Sequence, residues 1–575
     1  MALTVGTGRV VRVNGPVVHL AGLGPAARFD LVEVGDARLP GEVVSLEGER
    51  AVVQVYEYTG GLRVGEPARA TGQPLSAWLG PGLLGGLFDG LLRPLDDAPT
   101  FLLPRPLTSG RAGRWPFSPR AKVGAQVQAG DVLGVISGGA VEHRVTVPPG
   151  LSGELTSIAA EGDVRADSDV AVIGGVGVPL ITTWPVRRPR PFLERIADRV
   201  PFVTGQRVLD LLAPIAKGSS ATVVGGFGEG KTMLLEQLVK WGDADVIIYV
   251  GCGERGNELA DLIGELRNLE DPRTGRSVAD RTVIIANTSN MPVMAREASI
   301  YTAATVAEYF RDMGYATVVI ADSTSRWAEA LRELSSRTGV IPAEEGYPPE
   351  LPAALAAFYA RSGRVRTLGD RDASVTIVTS VSPPGGDLTE PVTSHTERFV
   401  QAVWVLDRDL AYARHYPAVS WRGSSSRDAD ATADWFAAHG DPEWAVQRAR
   451  LMSVLAEADR IESVAELVGV SALPAEERMV LLAAHLIRDG VLQQSAMSDN
   501  DAHCSPPKQS SLCGVVLAIH EATTDLAANG VPAGVLEEFD FTPFLRAKDD
   551  TAPDGAAAVD QIGVEILARL RELRK

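Results

Sequence analysis

The strongest chemical signal in the sequence is a glycine-rich loop near the middle of the chain. The letters GGFGEGKT fit the pattern G-x-x-x-x-G-K-[ST] and come directly after the apolar run ATVV. Glycines let the backbone turn until successive N–H groups point at one anion, and a helix that begins at the loop favours negative charge there. We predict that this loop binds phosphate. Its residues are Gly225, Gly226, Phe227, Gly228, Glu229, Gly230, Lys231 and Thr232.

Two side chains at the end of the loop extend this prediction to a nucleotide. Lys231 offers a positive charge to the β and γ phosphates, and the hydroxyl of Thr232 is a ligand for Mg²⁺. The pattern also occurs by chance in ordinary glycine-rich turns. The strand-like run before it and the helical run TMLLEQLVKW after it favour a nucleotide-binding loop over a chance match.

A carboxylate suited to Mg²⁺ follows a later apolar run. The run ATVVIA ends in Asp322, and the polar letters STS come next. Hydrolysis of a bound triphosphate needs a carboxylate that positions the metal, and the end of a buried strand is a suitable place for one. Asp322 could equally cap the helix predicted for SRWAEALRELSS. The phosphate loop upstream favours the metal role.

Charged side chains that could act on an attacking water follow the apolar run VIIYV. Glu254, Arg255 and Glu258 lie at a predicted strand-to-helix turn. A carboxylate there can polarise water, and a guanidinium can bind a γ-phosphate. Ion pairing across the sheet is the alternative, and it would be preferred if the phosphate loop were absent.

A competing motif overlaps this turn. Gly251, Gly253 and Gly256 spell G-x-G-x-x-G, the dinucleotide-binding pattern, and Glu270 and Asp271 lie near the spacing of its acidic residue. Three glycines at this spacing are common, and the strand–helix unit before them already carries a more specific phosphate loop. We therefore disfavour a dinucleotide site.

The elements that must position these residues indicate a multidomain α/β protein. The buried runs VIIYV, TVIIA, ATVVIA and SVTIVTS alternate with helical patterns, which predicts a parallel sheet covered on both faces. We predict an N-terminal β-barrel at 1–70, a connecting segment at 71–110 and an inserted β-rich bulge module at 111–185. A central RecA-like P-loop α/β domain at 186–425 and a helical C-terminal domain at 426–575 follow.

Composition narrows the classes of partner. The net charge of −18 disfavours binding to nucleic acid or to an anionic membrane surface. The N-terminus lacks the pattern of a secretory signal, and no stretch is long and apolar enough to span a bilayer. Cys252, Cys504 and Cys513 form no paired motif, so we expect reduced thiols and no structural zinc.

Together these motifs resemble a known family. GGFGEGKT, VGCGERGNE, IANTSNMPVMAREASIYT, ADSTSRWAEALRE, PAEEGYPPEL, SPPGGDLTEPVT and RHYPAVSW are similar, in this order, to the catalytic A subunit of V/A-type rotary ATPases. The likeness is dense from 183 to 422 and fainter on both sides. It implies a proton-transporting two-sector ATPase or ATP synthase that binds ATP or ADP with Mg²⁺.

The resemblance also implies a role for each candidate residue. Lys231 would bind the β and γ phosphates, Thr232 would ligate Mg²⁺, and Asp322 would hold the metal through water. Tyr416, in the letters HYPAV, would stack on adenine.

For the attacking water, the same likeness implies that Glu254 orients and polarises it. Arg255 would help to hold the γ-phosphate, and Glu258 would support these groups.

The implied partners belong to one assembly. A B subunit would alternate with this chain in a heterohexamer and supply an arginine finger in trans. Central and peripheral stalk subunits would complete the machine on the cytoplasmic face of a membrane, which the chain would contact only through other subunits.

The chain departs from the family pattern in three places. Glu229 stands where relatives have a small or neutral residue, and Gly226 where the catalytic chains of this family often have proline. A carboxylate close to a triphosphate is unfavourable unless it turns outward or meets a cation. Met497 stands where relatives tend to have an aromatic residue near adenine, and the segment WRGSSSRDAD leaves the junction to the helical domain open.

Two other functions remain open at this point. One is a different hexameric P-loop motor, such as a secretion-system ATPase or a Rho-like helicase. The acidic charge argues against the helicase. The other is a nucleotide-binding subunit with little turnover, an idea that Glu229 motivates.

Overall fold

A computed structural model describes most of the chain. The described residues are 6–96, 98, 102–107, 113–271 and 273–573. The predicted boundary between 110 and 111 lies outside them, as do the first five residues and the last two.

The chain forms two compact units. The first unit consists of residues 1–197, 217–220 and 244–399, and the second unit consists of residues 198–216, 221–243 and 400–575. Each unit therefore collects segments that are distant in the sequence.

The first unit begins with a closed barrel of six strands in the order β1-β2-β5-β4-β3-β6. Alternating side chains fill it, and Val18, Leu20 and Val53 are fully buried in its centre. This confirms the predicted barrel. The strands are β1 (Thr7–Asn14), β2 (Val17–Ala21), β3 (Asp30–Val34), β4 (Leu39–Glu47), β5 (Arg50–Val55) and β6 (Pro67–Pro74).

The inserted module consists of two small antiparallel sheets. One has the order β10-β13-β15-β16 and the other β12-β11-β9-β14. Each sheet has its own apolar cluster, around Leu155 in the first and Phe117 in the second. The strands flanking and forming the module are β7 (Ser76–Leu79), β8 (Leu87–Asp89), β9 (Arg114–Pro119), β10 (Gln126–Val127), β11 (Val132–Ile136), β12 (His143–Thr146), β13 (Gly153–Ile158), β14 (Gly162–Arg165), β15 (Asp169–Ile173), β16 (Val176–Pro179) and β17 (Thr182–Pro185).

The rest of the chain alternates strands with helices and then becomes helical. The remaining strands are β18 (Glu194–Arg195), β19 (Pro201–Phe202), β20 (Ile215–Ala216), β21 (Ser220–Val224), β22 (Val246–Cys252), β23 (Thr282–Asn287), β24 (Ala316–Asp322), β25 (Gly363–Arg366), β26 (Asp372–Val381), β27 (Ala402–Val405) and β28 (Ser425–Ser426). The helices are α1 (Arg207–Leu212), α2 (Lys231–Trp241), α3 (Gly256–Asn268), α4 (Val293–Asp312), α5 (Thr324–Thr338), α6 (Leu351–Tyr359), α7 (Pro391–Phe399), α8 (Arg408–Tyr412), α9 (Ala429–Ala438), α10 (Trp444–Val468), α11 (Ala475–Ile487), α12 (Pro506–Ala528), α13 (Ala533–Glu537), α14 (Thr542–Asp550) and α15 (Ala556–Glu572).

A parallel sheet is the core of the first unit. Its strands lie in the order β26-β24-β22-β23-β8 and are parallel to one another. Every residue of β22 and β23 is buried, because such a sheet is covered on both faces. Helix α4 buries nearly all of its length against this sheet. The predicted parallel sheet is thereby confirmed for this unit.

The second unit combines a short parallel pair with the helical region. Strand β21 pairs in parallel with β27, and β28 joins β27 in the antiparallel direction. The segment WRGSSSRDAD, whose structure the sequence left open, supplies β28 and the start of α9. Helix α12 packs against α10, α11 and α15, which confirms the predicted helical C-terminal domain.

A buried ion pair links α4 to the segment that contains Val186 and Arg190. Arg361 pairs with Glu308 at 2.5 Å, and both side chains are at most 2% exposed. Arg361 also donates to the carbonyl of Val186, while Glu308 accepts from the backbone N–H of Arg190. Each charge is therefore compensated and hydrogen-bonded.

Replacing Arg361 should destabilise the protein strongly. Arg361→Met would leave the Glu308 carboxylate buried without its cation, a change that typically costs about 3–5 kcal/mol. Chemical denaturation measures the change. Arg165→Ala, which breaks an exposed pair with Asp167, is the control and should leave the denaturation midpoint unchanged. Equal midpoint shifts in the two variants would show that burial of the pair does not matter.

A buried histidine should make stability depend on pH. His143 lies on β12, contacts the hydroxyl of Tyr309 at 3.0 Å, and is 4% exposed. Burial lowers the pKa of His143 to about 3. Between pH 6.5 and 3 the unfolded chain therefore binds a proton that the folded chain does not, so stability falls as the pH falls through this window.

Substitution of His143 should remove that dependence. From about pH 7 to pH 5, wild-type stability should fall by up to about 1.4 kcal/mol per pH unit more than that of His143→Gln. Denaturation curves across this range give the slopes. His439→Gln changes an exposed histidine and should keep the wild-type slope. A His143→Gln slope equal to that of wild type would argue against a neutral buried imidazole.

Candidate functional site

The predicted phosphate loop has the expected local structure. Strand β21 runs into the loop, and α2 begins at Lys231. Gly228 and Gly230 have φ angles of 82° and 96°, which residues other than glycine rarely adopt. The path of the backbone therefore requires these two glycines.

Internal bonds satisfy two charged side chains of this loop. The Lys231 ammonium donates to the carbonyl oxygens of Gly225 and Gly226, at 2.7 and 2.5 Å. The N–H of Gly226 donates to the Glu229 carboxylate at 2.6 Å. Glu229 does not turn away from the loop, which was one of the two ways to relieve its charge. It binds one of the N–H groups that a phosphate would use.

Tyr416 lies beside the end of the loop. A Cβ atom on Gly230 would lie 3.6 Å from Cε1 of the Tyr416 ring. Tyr416 is 44% exposed, so part of the residue is accessible to a ligand. The carbonyl of Tyr416 accepts from the N–H of Gln494, and the side chain of Gln494 donates to the carbonyl of Gly205. Met497 is 94% exposed.

Asp322 ends β24 in the first unit. Its backbone is in parallel register with Gly251 of β22, so both strands end at the same edge. The hydroxyl of Ser380 donates to the Asp322 carboxylate at 2.5 Å, and both residues are buried. Asp322 does not cap the next helix. The cap is Ser323, whose hydroxyl accepts from the N–H of Arg326.

Glu254 follows β22 at the same edge. It is half-buried, and its backbone carbonyl accepts from the N–H of Ser289. Arg255 is the N-terminal flanking residue of α3, and its guanidinium lies 3.9 Å from the Glu258 carboxylate. The Arg255 side chain is 65% exposed, so this pair contributes little and leaves the guanidinium accessible.

Two residues near these carboxylates were not predicted from the sequence. Arg326 lies beside the turn before α3, because a Cβ atom on Gly253 would lie 2.8 Å from the Arg326 Cβ. The hydrogen bond to Glu329 is the largest cause that raises the pKa of Arg326, and the charge of Glu254 adds to it. Ser380 is the second. Arg326 comes soon after Asp322 in the letters DSTSR, a signal that could have identified it, whereas Ser380 carried none.

One of the two candidate acidic residues of the dinucleotide-binding motif is engaged in ion pairs. Gly253 and Gly256 do lie at the turn between β22 and α3. Asp271, however, is 1% exposed and is bound by Arg281 at 2.7 Å and Arg273 at 3.2 Å. Those pairs occupy a carboxylate that would bind a ribose, which further disfavours a dinucleotide site.

The described side chains could bind Mg²⁺ only together with water or substrate phosphates as further ligands. Across the described parts of the chain, no group of three or more His, Cys, Asp or Glu side chains could hold a metal ion. Mg²⁺ usually takes one or two carboxylates and completes its shell with water and substrate phosphates. The single buried carboxylate of Asp322 agrees with that mode of binding.

None of the described helices is both long enough and apolar enough to cross a membrane.

Family models match four segments of the chain. Residues 7–72 match the ATP synthase alpha/beta family beta-barrel domain, and residues 108–187 match the barrel-sandwich domain of the same alpha/beta chains. Residues 205–426 match the ATP synthase alpha/beta family nucleotide-binding domain. Residues 433–538 match the C-terminal domain of V and A type ATP synthase.

Curated relatives match over nearly the whole length. The chain is 45% identical over 584 aligned residues to the A subunit of the A-type ATP synthase of Metallosphaera sedula, with 99% of each chain covered. It is 47% identical over 539 residues to the corresponding A subunit of Saccharolobus islandicus, with 91% of each covered.

Among solved structures, the chain resembles the assembled ATPase EscN from the type III secretion system of enteropathogenic E. coli. The TM-score is 0.64 at 21% identity, with 89% of this chain and 100% of that chain covered. This likeness concerns the fold.

If Asp322 positions Mg²⁺, as the sequence predicts, loss of the Ser380 hydroxyl should weaken metal binding. Ser380→Ala removes a buried hydrogen bond that fixes the carboxylate, worth about 1 kcal/mol, so half-maximal nucleotide binding should need roughly fivefold more Mg²⁺. A Mg²⁺ titration of ATP binding to the full chain measures this.

A serine on the same strand provides the matched control. Ser374 is buried on β26, and its hydroxyl has no hydrogen-bond partner among the described residues. Ser374→Ala should keep the wild-type Mg²⁺ requirement. Equal shifts in both serine variants would show that the bond to Asp322 is not the cause.

Proposed function

This chain belongs to the family of A-type ATP synthase A subunits, and from this premise we propose that it is the catalytic chain of a V/A-type rotary ATPase. It binds ATP and ADP, and it works in an assembly with other ATP synthase subunits. The observation that carries the proposal is the strand, loop and helix from β21 to α2, inside the segment that matches the family's nucleotide-binding domain.

The phosphate and base contacts are assigned to the second unit. Lys231 leaves its bonds to the loop carbonyls and binds the β and γ phosphates. Thr232, in the first turn of α2, would provide a hydroxyl for Mg²⁺. Tyr416 stacks on adenine, which its exposed ring beside Gly230 supports.

The chemistry of the attacking water is assigned to the first unit. Asp322 would hold Mg²⁺ through water, Glu254 would orient and polarise the attacking water, and Arg255 would contact the γ-phosphate. Glu258 keeps Arg255 in reach. The proximity of Asp322 and Glu254 at one sheet edge supports this division of roles.

Rotary coupling requires partners with the roles known in the family. A B subunit takes the alternate positions in a heterohexamer with this chain and supplies an arginine in trans. Stalk subunits transmit rotation, and the membrane subunits translocate the ion, with the proton as the expected ion. The chain then works at the cytoplasmic face and contacts the membrane through other subunits.

Removal of the loop cation should abolish turnover. In a complex with its B subunit, Lys231→Ala should lower Mg²⁺-dependent ATPase activity by about 100-fold or more, because the charge that develops on the phosphates loses its compensation. Steady-state phosphate release measures this. A wild-type complex without ATPase activity would refute the catalytic assignment itself.

Removal of the carboxylate of Glu254 should also abolish turnover, but it should leave ATP binding intact. Glu254→Gln should lower kcat by about 100-fold or more while ATP binding persists, because a neutral amide does not accept the water's proton. Glu270→Gln removes an exposed carboxylate in the same unit and should leave kcat unchanged. Equal losses in the two variants would contradict the role of Glu254.

A second hexameric motor function is less well supported. The likeness to EscN shows a shared fold at 21% identity, whereas the segment at 433–538 matches a V and A type domain. Stimulation of ATPase activity by single-stranded RNA would favour a helicase instead.

A further inference from the structure

The phosphate loop contains a carboxylate, that of Glu229, which binds the backbone of the same loop. The N–H of Gly226 donates to Oε2 of Glu229 at 2.6 Å. A Cβ atom on Gly226 would lie 2.6 Å from Oε1 of Glu229, and one on Gly225 would lie 2.9 Å from Oε2. The carboxylate therefore lies directly against the backbone of these two glycines, and a Cβ atom at either position would force it to move.

This contact uses a donor that the loop would offer to phosphate. Backbone N–H groups in such loops bind phosphate oxygens, and a carboxylate oxygen is the same kind of acceptor. One N–H cannot donate fully to both. The Lys231 ammonium is bound to the carbonyl oxygens of the same two glycines. Part of the loop's positive charge is thus already compensated within the chain.

We propose that Glu229 sets nucleotide affinity by competing with phosphate for the N–H of Gly226. The proposal rests on the function proposed above. When nucleotide binds, the carboxylate leaves the N–H, or it stays and repels the phosphates. Either way, binding weakens and release of the product nucleotide is accelerated.

Because the competition is electrostatic, the effect of Glu229 on affinity should increase with the number of phosphate groups on the ligand. Repulsion between a carboxylate and a polyphosphate grows with the charge of the ligand and is screened by salt. ATP should be affected more than ADP. Adenosine has no phosphate and should be unaffected, because it uses only the base contact at Tyr416.

The experiment measures equilibrium binding of ATP, ADP and adenosine to the full chain in Mg²⁺ buffer. Glu229→Ala should tighten ATP binding by roughly tenfold or more, since it removes both the charge and the competing acceptor. Glu229→Gln keeps the acceptor but loses the charge, so its affinity should lie between those of Glu229→Ala and wild type. High salt should reduce the difference between wild type and Glu229→Ala.

A nearby carboxylate offers a matched control. The hydrogen bond to Tyr412 is the largest cause that raises the pKa of Arg408, and the charges of Glu229 and Asp409 both add to it. The two carboxylates therefore act on the same guanidinium. Asp409 lies exposed in α8, whereas Glu229 accepts a hydrogen bond from the N–H of Gly226 in the loop. Asp409→Asn should change ATP affinity less than about twofold.

Turnover in the complex with the B subunit provides a second readout. Glu229→Ala should lower KM for ATP and should not raise kcat, because product release becomes slower. A loss of folding would instead lower kcat without a lower KM.

The outcomes separate this inference from the function on which it rests. Wild-type ATPase activity together with unchanged ATP affinity in Glu229→Ala would overturn the inference alone. Equal tightening by Asp409→Asn, or equal tightening of adenosine, would overturn it as well. Failure of both wild type and Glu229→Ala to bind ATP would overturn the inference and the proposed function together.

Discussion

A parallel sheet ends all of its strands at one edge, and the chemistry of the first unit depends on this constraint. The register of β22 and β24 sets Gly251 beside Asp322, so that the turn carrying Glu254 begins where the proposed metal-binding carboxylate is presented. Strand β26 lies on the other side of β24 and contributes Ser380, which binds Asp322. Three segments that are far apart in the sequence therefore meet at one carboxylate.

In the second unit, the important constraint is how charge is compensated within the tight phosphate loop. Its glycines allow N–H groups to converge, which creates a concentration of positive potential. In the described structure that potential is met by the chain itself, through Glu229 on one N–H, while Lys231 is held by carbonyl oxygens. These bonds compensate charge within the loop, and in our proposal the bond of Glu229 opposes phosphate binding.

Buried charges that are paired with an opposite charge also occur away from the candidate site. Arg361 and Glu308 in the first unit, and Arg207 and Asp501 in the second, are buried pairs in which each arginine also binds a backbone carbonyl. Such pairs tolerate no loss of one partner, because the other charge would remain in a low dielectric. The first pair fixes the segment that contains Val186 and Arg190, and the second pair fixes helix α1.

The order of the elements, the phosphate loop and the family could be predicted from the sequence, because each of them depends on contiguous residues. Periodicity predicted the barrel, the parallel strands and the helical region. Local spacing identified Lys231, Thr232, Glu254 and Asp322, whose individual roles remain proposals. It could not choose between metal binding and helix capping for Asp322, since both fit a strand followed by a helix.

The folded structure was needed for questions that depend on the distance between remote residues or on the direction of a side chain. It gave the cap to Ser323, and it brought Ser380 to Asp322 across 58 positions of sequence. It also paired Asp271 with Arg281, which removed one acidic residue of the competing motif. For Glu229, the sequence showed an unusual charge in the loop. The hydrogen bond from the N–H of Gly226 to its carboxylate depends on how the loop folds.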